Sequence, residues 1–314
     1  MSNVPIIQQG QQGQQDRQSG DISRNARIYT KKRVDWFNIV NIIVLTFLAL
    51  MVIFPFYYVL VVSFVSEAEY NTSSLLYPKN PITNHYQTII LHSGLLNSFR
   101  NSGIVVVLGI VYNMLLTISM SYGLSKKNFP GRALLFNLVI FTMYFSGGLI
   151  PYYLLVRNLG LRDSLFSIVL PFGLNVFFMI ILKNFMQQIP AELEESAKID
   201  GANQLRILVQ IIIPMVVPAI ATLILFYSVD RWNEWFSAML FINNRALYPV
   251  QLMLREILTT GSTLQNVPSE ISYRPFGEGI KSASVMVVML PVMCIYPFLQ
   301  KYFVKGVMIG AIKS

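Results

Sequence analysis

The sequence predicts an all-α integral membrane protein with six transmembrane helices and both termini in the cytoplasm. Of its 314 residues, 54% are hydrophobic and only 12% are charged, whereas soluble domains carry about 25% charged residues. The chain also contains six long stretches without Asp, Glu, Lys or Arg. Each is near or above the roughly 20 residues that a helix needs to cross a bilayer.

The uncharged stretches define the predicted domain organisation. Residues 1–33 include a Gln-Gln-Gly repeat that cannot bury enough apolar surface to fold, and we expect a disordered cytoplasmic tail there. Residues 34–314 form the predicted transmembrane domain, with a cytoplasmic loop at 183–206 and an external loop at 230–281 that is too long for a plain connector. The predicted helices cover about residues 36–66, 97–125, 133–156, 164–182, 207–232 and 282–303.

Lysine and arginine are distributed unequally between the loops. If both termini are cytoplasmic, the inner segments hold most of the 24 Lys and Arg residues, as the loops on the cytoplasmic side of membrane proteins do. The loop at 183–206 is therefore expected to face the cytoplasm. The first helix is interpreted as an uncleaved span, because it is too long for a signal peptide.

The loop at 183–206 contains the most acidic helical segment of the chain. Pro190 suits the start of a helix because its nitrogen has no hydrogen to leave unsatisfied. Glu192, Glu194 and Glu195 then lie near the positive end of the helix dipole, and Gly201 can adopt the left-handed conformation that ends a helix. These features predict a short amphipathic helix at the membrane surface, although an ordinary acidic surface helix has the same composition.

The spacing in this loop resembles the cytoplasmic "EAA" loop of ABC importer permeases of the maltose-type, carbohydrate-uptake class. Ser196 departs from the family pattern, which has alanine there. The resemblance implies a coupling helix that docks into a cleft of an ATP-hydrolysing subunit, where Glu195 pairs with a basic residue and Gly201 allows a close backbone approach. The positions implied in coupling are Glu195, Ser196, Ala197, Asp200, Gly201, Ala202 and Pro214.

The same resemblance implies the type I ABC importer permease fold, a bacterial cytoplasmic membrane and several partners. The partners are a second homologous permease, two ATPase subunits that bind ATP and Mg, and an extracellular sugar-binding lipoprotein that delivers an oligosaccharide. The chain itself is expected to be a permease subunit and not an enzyme, with no cofactor and no nucleic acid bound. In agreement, it contains no Gly-x-x-x-x-Gly-Lys phosphate loop.

Two aromatic regions are candidates for the substrate pathway. In the run Phe-Ser-Gly-Gly-Leu-Ile-Pro at 145–151, the glycines and the proline break the hydrogen bonds of a helix. Neighbouring helices or a water-filled cavity must then satisfy the freed backbone groups. At the end of the fifth span, aromatic rings suit the apolar faces of sugars and polar groups suit their hydroxyls. An aromatic belt at the membrane interface predicts the same residue types. The candidates are Tyr144, Tyr152, Tyr153, Tyr227, Asp230, Arg231, Trp232, Asn233, Glu234 and Trp235.

The run at 145–151 also resembles the permeases that serve lipoprotein binding proteins of Gram-positive bacteria, often for oligosaccharides rich in uronic acids. Arg157, Arg162 and Arg231 near the outer ends of the spans suit acidic sugars, but cations beside a membrane are common. The alternatives are a permease for a non-sugar solute, a secondary transporter and a membrane-embedded enzyme. The spans lack the central acids or histidines of an ion-coupled carrier and a catalytic His/Asp/Cys group.

No metal site is expected from the remaining candidate ligands. His85 and His92 lie in a predicted loop without a cysteine or acidic companion at ligand spacing. Cys294 is the one cysteine, which excludes an internal disulfide.

Overall fold

The computed structural model describes residues 36–72, 75–260 and 276–311, and those residues form helices and turns without a strand. The all-α class predicted from the sequence is thus confirmed. The chain divides into two units, residues 1–56 and 57–314. The predicted tail at 1–33 lies outside the described residues.

The described part of the first unit is the beginning of helix α1, Trp36–Val62. This helix has 27 residues, none of them charged, and is long enough to cross a bilayer. Nearly all of its apolar side chains are exposed. A helix that is apolar on every side needs lipid or another protein around it.

In the second unit, helix α4 is the central element, against which several of the other helices pack. It follows two short helices, α2 (Glu67–Thr72) and α3 (Asn84–His92), and spans Leu95–Ser125. One face of α4 carries a stripe of buried small and polar residues about one turn apart, which lets neighbouring helices approach closely. We call it the α4 stripe: Ser98, Asn101, Ser102, Gly109, Asn113, Thr117 and Ser121.

Polar members of the α4 stripe bond to elements far along the chain. The Ser121 hydroxyl donates to the carbonyl oxygen of Met179 (2.9 Å). The Asn101 amide donates to the carbonyl oxygen of Ala246 (2.8 Å). The stripe therefore fixes the rotation of α4 about its own axis, because another face of α4 would bury apolar side chains against these polar groups.

The third predicted span, 133–156, is divided into helices α5 (Arg132–Tyr144) and α6 (Leu149–Asn158), which meet at 111°. Between them Gly148 has φ +87° and ψ 166°, a conformation essentially restricted to glycine. The glycine pair therefore ends α5 and re-aims the chain, where a continuous helix would need residues with helical φ and ψ.

The fourth predicted span, 164–182, also contains two helices instead of one. Helix α7 (Phe166–Val169) has four residues and α8 (Val176–Gln187) has twelve. Residues 170–175, which we call the break, include Pro171 and Gly173. Both residues are poor helix formers. Asn175 is the N-cap of α8, because its side chain accepts a hydrogen bond from the N–H of Phe178 at 3.2 Å.

The cytoplasmic loop predicted at 183–206 contains helix α9, Ala191–Ile199. Helices α10 (Gln204–Met215) and α11 (Val217–Trp232) follow and meet at 84°. Val216 at the bend lies between Pro214 and Pro218, whose missing N–H groups interrupt the helix hydrogen bonds. Buried Met114, Leu182 and Leu223 join α4, α8 and α11 in one apolar core.

The predicted external loop holds helices α12 (Phe236–Phe241) and α13 (Val250–Thr260) with a 3₁₀ turn between them. Asp163 is bonded to this region: its carboxylate accepts the backbone N–H groups of Asn243 (2.5 Å) and Asn244 (3.0 Å). These bonds stabilise the charged form and hold the pKa of Asp163 below its ordinary value. Residues 261–275 lie outside the described residues, and α14 follows at Gly277–Ala311.

By length and composition, three described helices can each cross a membrane: α1, α4 and the Gly277–Ile295 part of α14. The bent pairs α5–α6 and α10–α11 raise that number to five if each is one span, and α8 is shorter. The chain is therefore a multi-pass membrane protein.

Candidate functional site

Helix α9 is shaped by the residues at its two ends. Pro190 precedes it with an extended conformation (φ −56°, ψ 133°), and Glu192 and Glu194 lie in its first turn. At its other end Gly201 has φ +80°. The N–H of Ala202 donates to the carbonyl oxygen of Ala197 (2.9 Å) and that of Gly201 to Lys198 (3.0 Å), which is the Schellman arrangement.

The outer face of α9 mixes acidic and aliphatic side chains. Glu195, Ser196 and Asp200 are exposed, and Ile199 is 86% exposed. Among the described residues, a Cβ added at Gly201 would meet nothing within 4 Å. Ala197 and Ala202 face the other way, against the core. The exposed face is thus free to contact another molecule, while the two alanines anchor the helix.

A polar network joins α9 to the end of α4. Lys126 forms an ion pair with Glu194, and its ammonium group lies 4.0 Å from the ring centre of Tyr122. The Tyr122 hydroxyl donates to Oε1 of Gln204 (2.8 Å), at the start of α10. Glu194 is therefore occupied within the chain, whereas Glu195 has no ion pair among the described residues.

Pro214 is placed apart from the other predicted coupling positions. It lies in α10, two residues before the bend at Val216. Its position in the helix gives it a part in the bend and not in the exposed face of α9.

A cavity of about 350 Å³ lies where α4, the break and α11 meet. Five of the predicted pathway residues line it: Tyr227, Asp230, Arg231, Asn233 and Glu234. The wall is completed by residues that the sequence analysis did not select: Asn113, Phe172, Leu174 and Asn175. Amides, carboxylates and aromatic rings together suit a ligand with many hydroxyl groups.

Two of these missed residues carry a signal that could have identified them. Asn113 belongs to the i, i+4 spacing of the α4 stripe, and an amide on such a face requires a partner inside the protein. Asn175 precedes an apolar run, as helix N-cap residues do. Phe172 and Leu174 carry no comparable signal, because apolar residues are frequent throughout the chain.

Arg231 lines the cavity but is occupied within the protein. It is 4% exposed. Its guanidinium donates to the carbonyl oxygens of Ile168 (2.8 Å), Val169 (3.2 Å) and Phe172 (2.6 Å) and to Oδ1 of Asn113 (3.0 Å). From the sequence, Arg231 is a cation near the outer end of a span that suits acidic sugars, and in the structure its guanidinium bonds to the backbone of the chain itself.

The other predicted aromatic residues lie outside the cavity wall. Tyr152 packs against Phe172 of the break (ring centres 5.3 Å apart). Tyr153 stacks on Phe241 (ring centres 5.8 Å apart). Tyr144 is 81% exposed, and the neighbouring Phe145 is 63% exposed.

Each of the two tryptophans of the candidate set has an aromatic or cationic neighbour. Trp232 packs against Phe99 (ring centres 6.0 Å apart). The guanidinium of Arg255 lies 3.9 Å from the ring centre of Trp235. An exposed arginine on an aromatic face keeps its N–H groups available for an anion.

No group of three or more His, Cys, Asp or Glu side chains able to hold a metal occurs in the described ranges. His85 is buried, with Nε2 3.0 Å from the carbonyl oxygen of Val65, and burial lowers the pKa of its imidazole. The side chain of His92 lies outside the described set.

Comparison with known proteins gives consistent matches along most of the chain. Residues 26–309 match the family model "Binding-protein-dependent transport system inner membrane component". The protein LplC of Bacillus subtilis is 42% identical over 88% of this chain and 95% of its own length. The polygalacturonan/rhamnogalacturonan transport system permease protein YtcP of the same organism is 42% identical over 85% of this chain and 94% of its own.

A solved structure matches the fold over a similar range. It is a chain of a bacterial ABC transporter involved in the import of the acidic polysaccharide alginate, with TM-score 0.81 and 31% identity. The match covers 88% of this chain and 100% of that chain.

Proposed function

The chain belongs to the family of binding-protein-dependent transport system inner membrane components, and from this premise we propose that it is a permease subunit that passes oligosaccharides through the bacterial cytoplasmic membrane. The proposal rests above all on α9. A capped acidic helix with an exposed acidic and aliphatic face, set between α8 and α10, has the form of a docking element.

In this proposal α9 contacts an ATPase subunit. Glu195 pairs with a basic residue of that subunit, and Gly201 permits a close approach because a Cβ added there meets no atom of the described residues within 4 Å. ATP and Mg bind to the ATPase subunits. The chain supplies the path and works with a second permease and an external binding protein.

The proposed topology has six spans with both termini in the cytoplasm. The spans are α1, α4, the α5–α6 pair, the stretch from α7 through α8, the α10–α11 pair and α14. The excess of Lys and Arg in the segments then facing inward supports this orientation. It places α9 beside cytoplasmic ATP and the residues from α12 to α13 outside.

Thiol labelling tests the topology. Single cysteines at exposed Ser196 and Thr260 are introduced in a Cys294→Ser background and treated with an impermeant thiol reagent on intact cells. We expect labelling at 260 only, and labelling at both positions after the cells are opened. Labelling at 196 and not at 260 in intact cells would reverse the proposed orientation.

The proposed substrate is a carbohydrate, and an acidic one is favoured. Support comes from the names of YtcP and of the alginate transporter, and from the mixed polar and aromatic cavity wall. Arg231 gives less support for an acidic sugar, because its guanidinium is buried and bonded to backbone carbonyl oxygens. Arg255, stacked on Trp235 and exposed, is the better candidate for a sugar carboxylate.

Reconstitution tests the function. The chain is co-purified with the second permease, two ATPase subunits and the binding protein, and uptake of labelled oligogalacturonate into liposomes is measured beside neutral xylo-oligosaccharides of equal length. We expect ATP-dependent uptake, greater for the acidic sugar, and no ATP hydrolysis by the chain alone.

Two outcomes would count against this function. Hydrolysis of ATP by the pure isolated chain would contradict the division of labour, and uptake that persists without ATP would indicate a secondary transporter. Uptake restricted to neutral sugars would leave the permease function standing and remove the preference for acids.

A further inference from the structure

The break between α7 and α8 exposes backbone groups that need partners. The last carbonyl groups of a helix and the first N–H groups of the next have no partner within their own helix. In a segment of a membrane domain, leaving such groups unpaired is costly, because no water is available in the hydrocarbon region. The backbone groups of residues 170–175 therefore need partners from other elements or from the cavity that some of these residues line.

Helix α11 supplies partners on both sides of the break. On the α7 side, Arg231 binds the carbonyl oxygens of Ile168, Val169 and Phe172. On the α8 side, the N–H of Asn175 donates to the Tyr227 hydroxyl at 3.1 Å. Tyr227 and Arg231 are four residues apart, so one face of α11 holds both ends.

Helix α4 also bonds to the side chains of Tyr227 and Arg231 and so fixes their positions. The Tyr227 hydroxyl is 2.7 Å from Oγ1 of Thr117, and Asn113 accepts from Arg231. A Cβ added at Gly109 would lie 2.9 Å from Cγ of Arg231. Glycine at 109 is therefore required for the path that the arginine side chain takes across α4.

The positions of α8 and α11 in the chain connect these hydrogen bonds to α9. Helix α8 leads directly into α9, and α9 leads through α10 into α11. Two arms thus extend from α9, and their far ends meet where Tyr227 and Arg231 hold the break. With these bonds removed, the break, which contains Pro171 and Gly173, would flex and absorb a displacement of α9.

We propose, on the basis of the permease function above, that Tyr227 and Arg231 are positioning residues that clamp α8 to α11 across the break and so carry movement of α9 to the cavity wall. Arg231 acts on the backbone of this chain and not on the transported sugar. Its depth, 4% exposed, and its three carbonyl partners are the features of a structural cation.

Arg231→Lys separates the clamp from a substrate-binding role. Lysine keeps the positive charge but presents one compact ammonium group, which cannot bridge three carbonyls as a planar guanidinium does. In the reconstituted transporter we expect the sugar transported per ATP hydrolysed to fall about tenfold. The binding-protein concentration that half-saturates uptake should stay unchanged.

The opposite pattern would overturn the proposal. If Arg231→Lys raises the half-saturating concentration and leaves the transport per ATP unchanged, Arg231 is a substrate ligand. If that variant fails to assemble, Tyr227→Phe distinguishes the two roles, because it removes only the hydroxyl that accepts the Asn175 N–H and bonds to Thr117. An unchanged transport per ATP in Tyr227→Phe would count against the clamp.

Gly109→Ala tests the same clamp from the α4 side. We expect it to lower the transport per ATP in the otherwise unmodified chain and to have no further effect in an Arg231→Ala background, since both changes act on one contact. Gly103→Ala in the same helix is the control, because a Cβ there meets nothing within 4 Å. Additive effects of Gly109→Ala and Arg231→Ala would contradict the shared contact.

Hydrogen exchange gives a readout that does not depend on transport. In the purified chain, the amide hydrogens of residues 170 and 172–175 should exchange faster in Arg231→Lys than in the unmodified protein. Unchanged exchange there would refute the clamp even if the complex transports nothing. An inactive unmodified complex with faster exchange in the variant would refute the proposed function alone.

Discussion

Gly201→Asn is expected to lower transport about tenfold or more while the chain still inserts and folds. Gly201 has φ +80°, and asparagine visits this left-handed region more readily than most residues. The added side chain finds open space within the chain. A loss of transport therefore reports on contact with another subunit. Co-purification of the ATPase subunit with the variant measures that contact directly.

Gly131→Asn is the matched control for this prediction. Gly131 also has a positive φ, +73°, and open space around its Cβ position. It precedes α5 and is separate from α9. Gly131→Asn should transport at the unmodified rate. If Gly201→Asn also binds the ATPase and transports normally, α9 is not the docking element.

Gly173→Ala is expected to destabilise the chain by about 2 kcal/mol or more. A Cβ at this position would lie 2.4 Å from Cε1 of Tyr112 and 2.7 Å from Cδ1 of Leu116, both on α4. The tyrosine ring is rigid, so the break itself must move away from α4. Thermal unfolding of the purified chain should show a lower midpoint and a lower yield of folded protein.

Gly123→Ala controls for the general effect of replacing glycine. Nothing lies within 4 Å of its added Cβ, and alanine favours the helix by roughly 0.5–1 kcal/mol. It should be neutral or stabilising. Tyr112→Leu should restore part of the stability of Gly173→Ala, because it removes the ring atoms nearest the new methyl group. A Gly173→Ala protein as stable as the unmodified chain would contradict the close packing.

The sequence was sufficient for the elements whose signals are local. Helices α1 and α4 follow from uncharged runs, and α9 follows from Pro190, its first-turn acids and Gly201. The cluster Tyr227 to Glu234 was selected because its aromatic, amide and charged side chains suit a sugar, and five of the selected residues line one cavity.

The features that the sequence did not predict depend on contacts between distant residues. The stretch 164–182 is free of charge, so a count of charged residues cannot distinguish one continuous helix from α7, the break and α8. What maintains the break is Arg231, whose partner Ile168 is 63 residues away. Arg231 was selected for acidic sugars from its place near the outer end of a span, and its distant carbonyl partners leave no local pattern in the sequence.

The α4 stripe has a consequence for synthesis of the chain. Its polar groups bond to Met179, Tyr227, Arg231, Ala246 and Val250, which lie 58 to 148 residues from their partners. A nascent chain that has reached residue 170 contains none of these five residues. Helix α4 is thus made early, yet these hydrogen bonds are completed only after Val250 has left the ribosome.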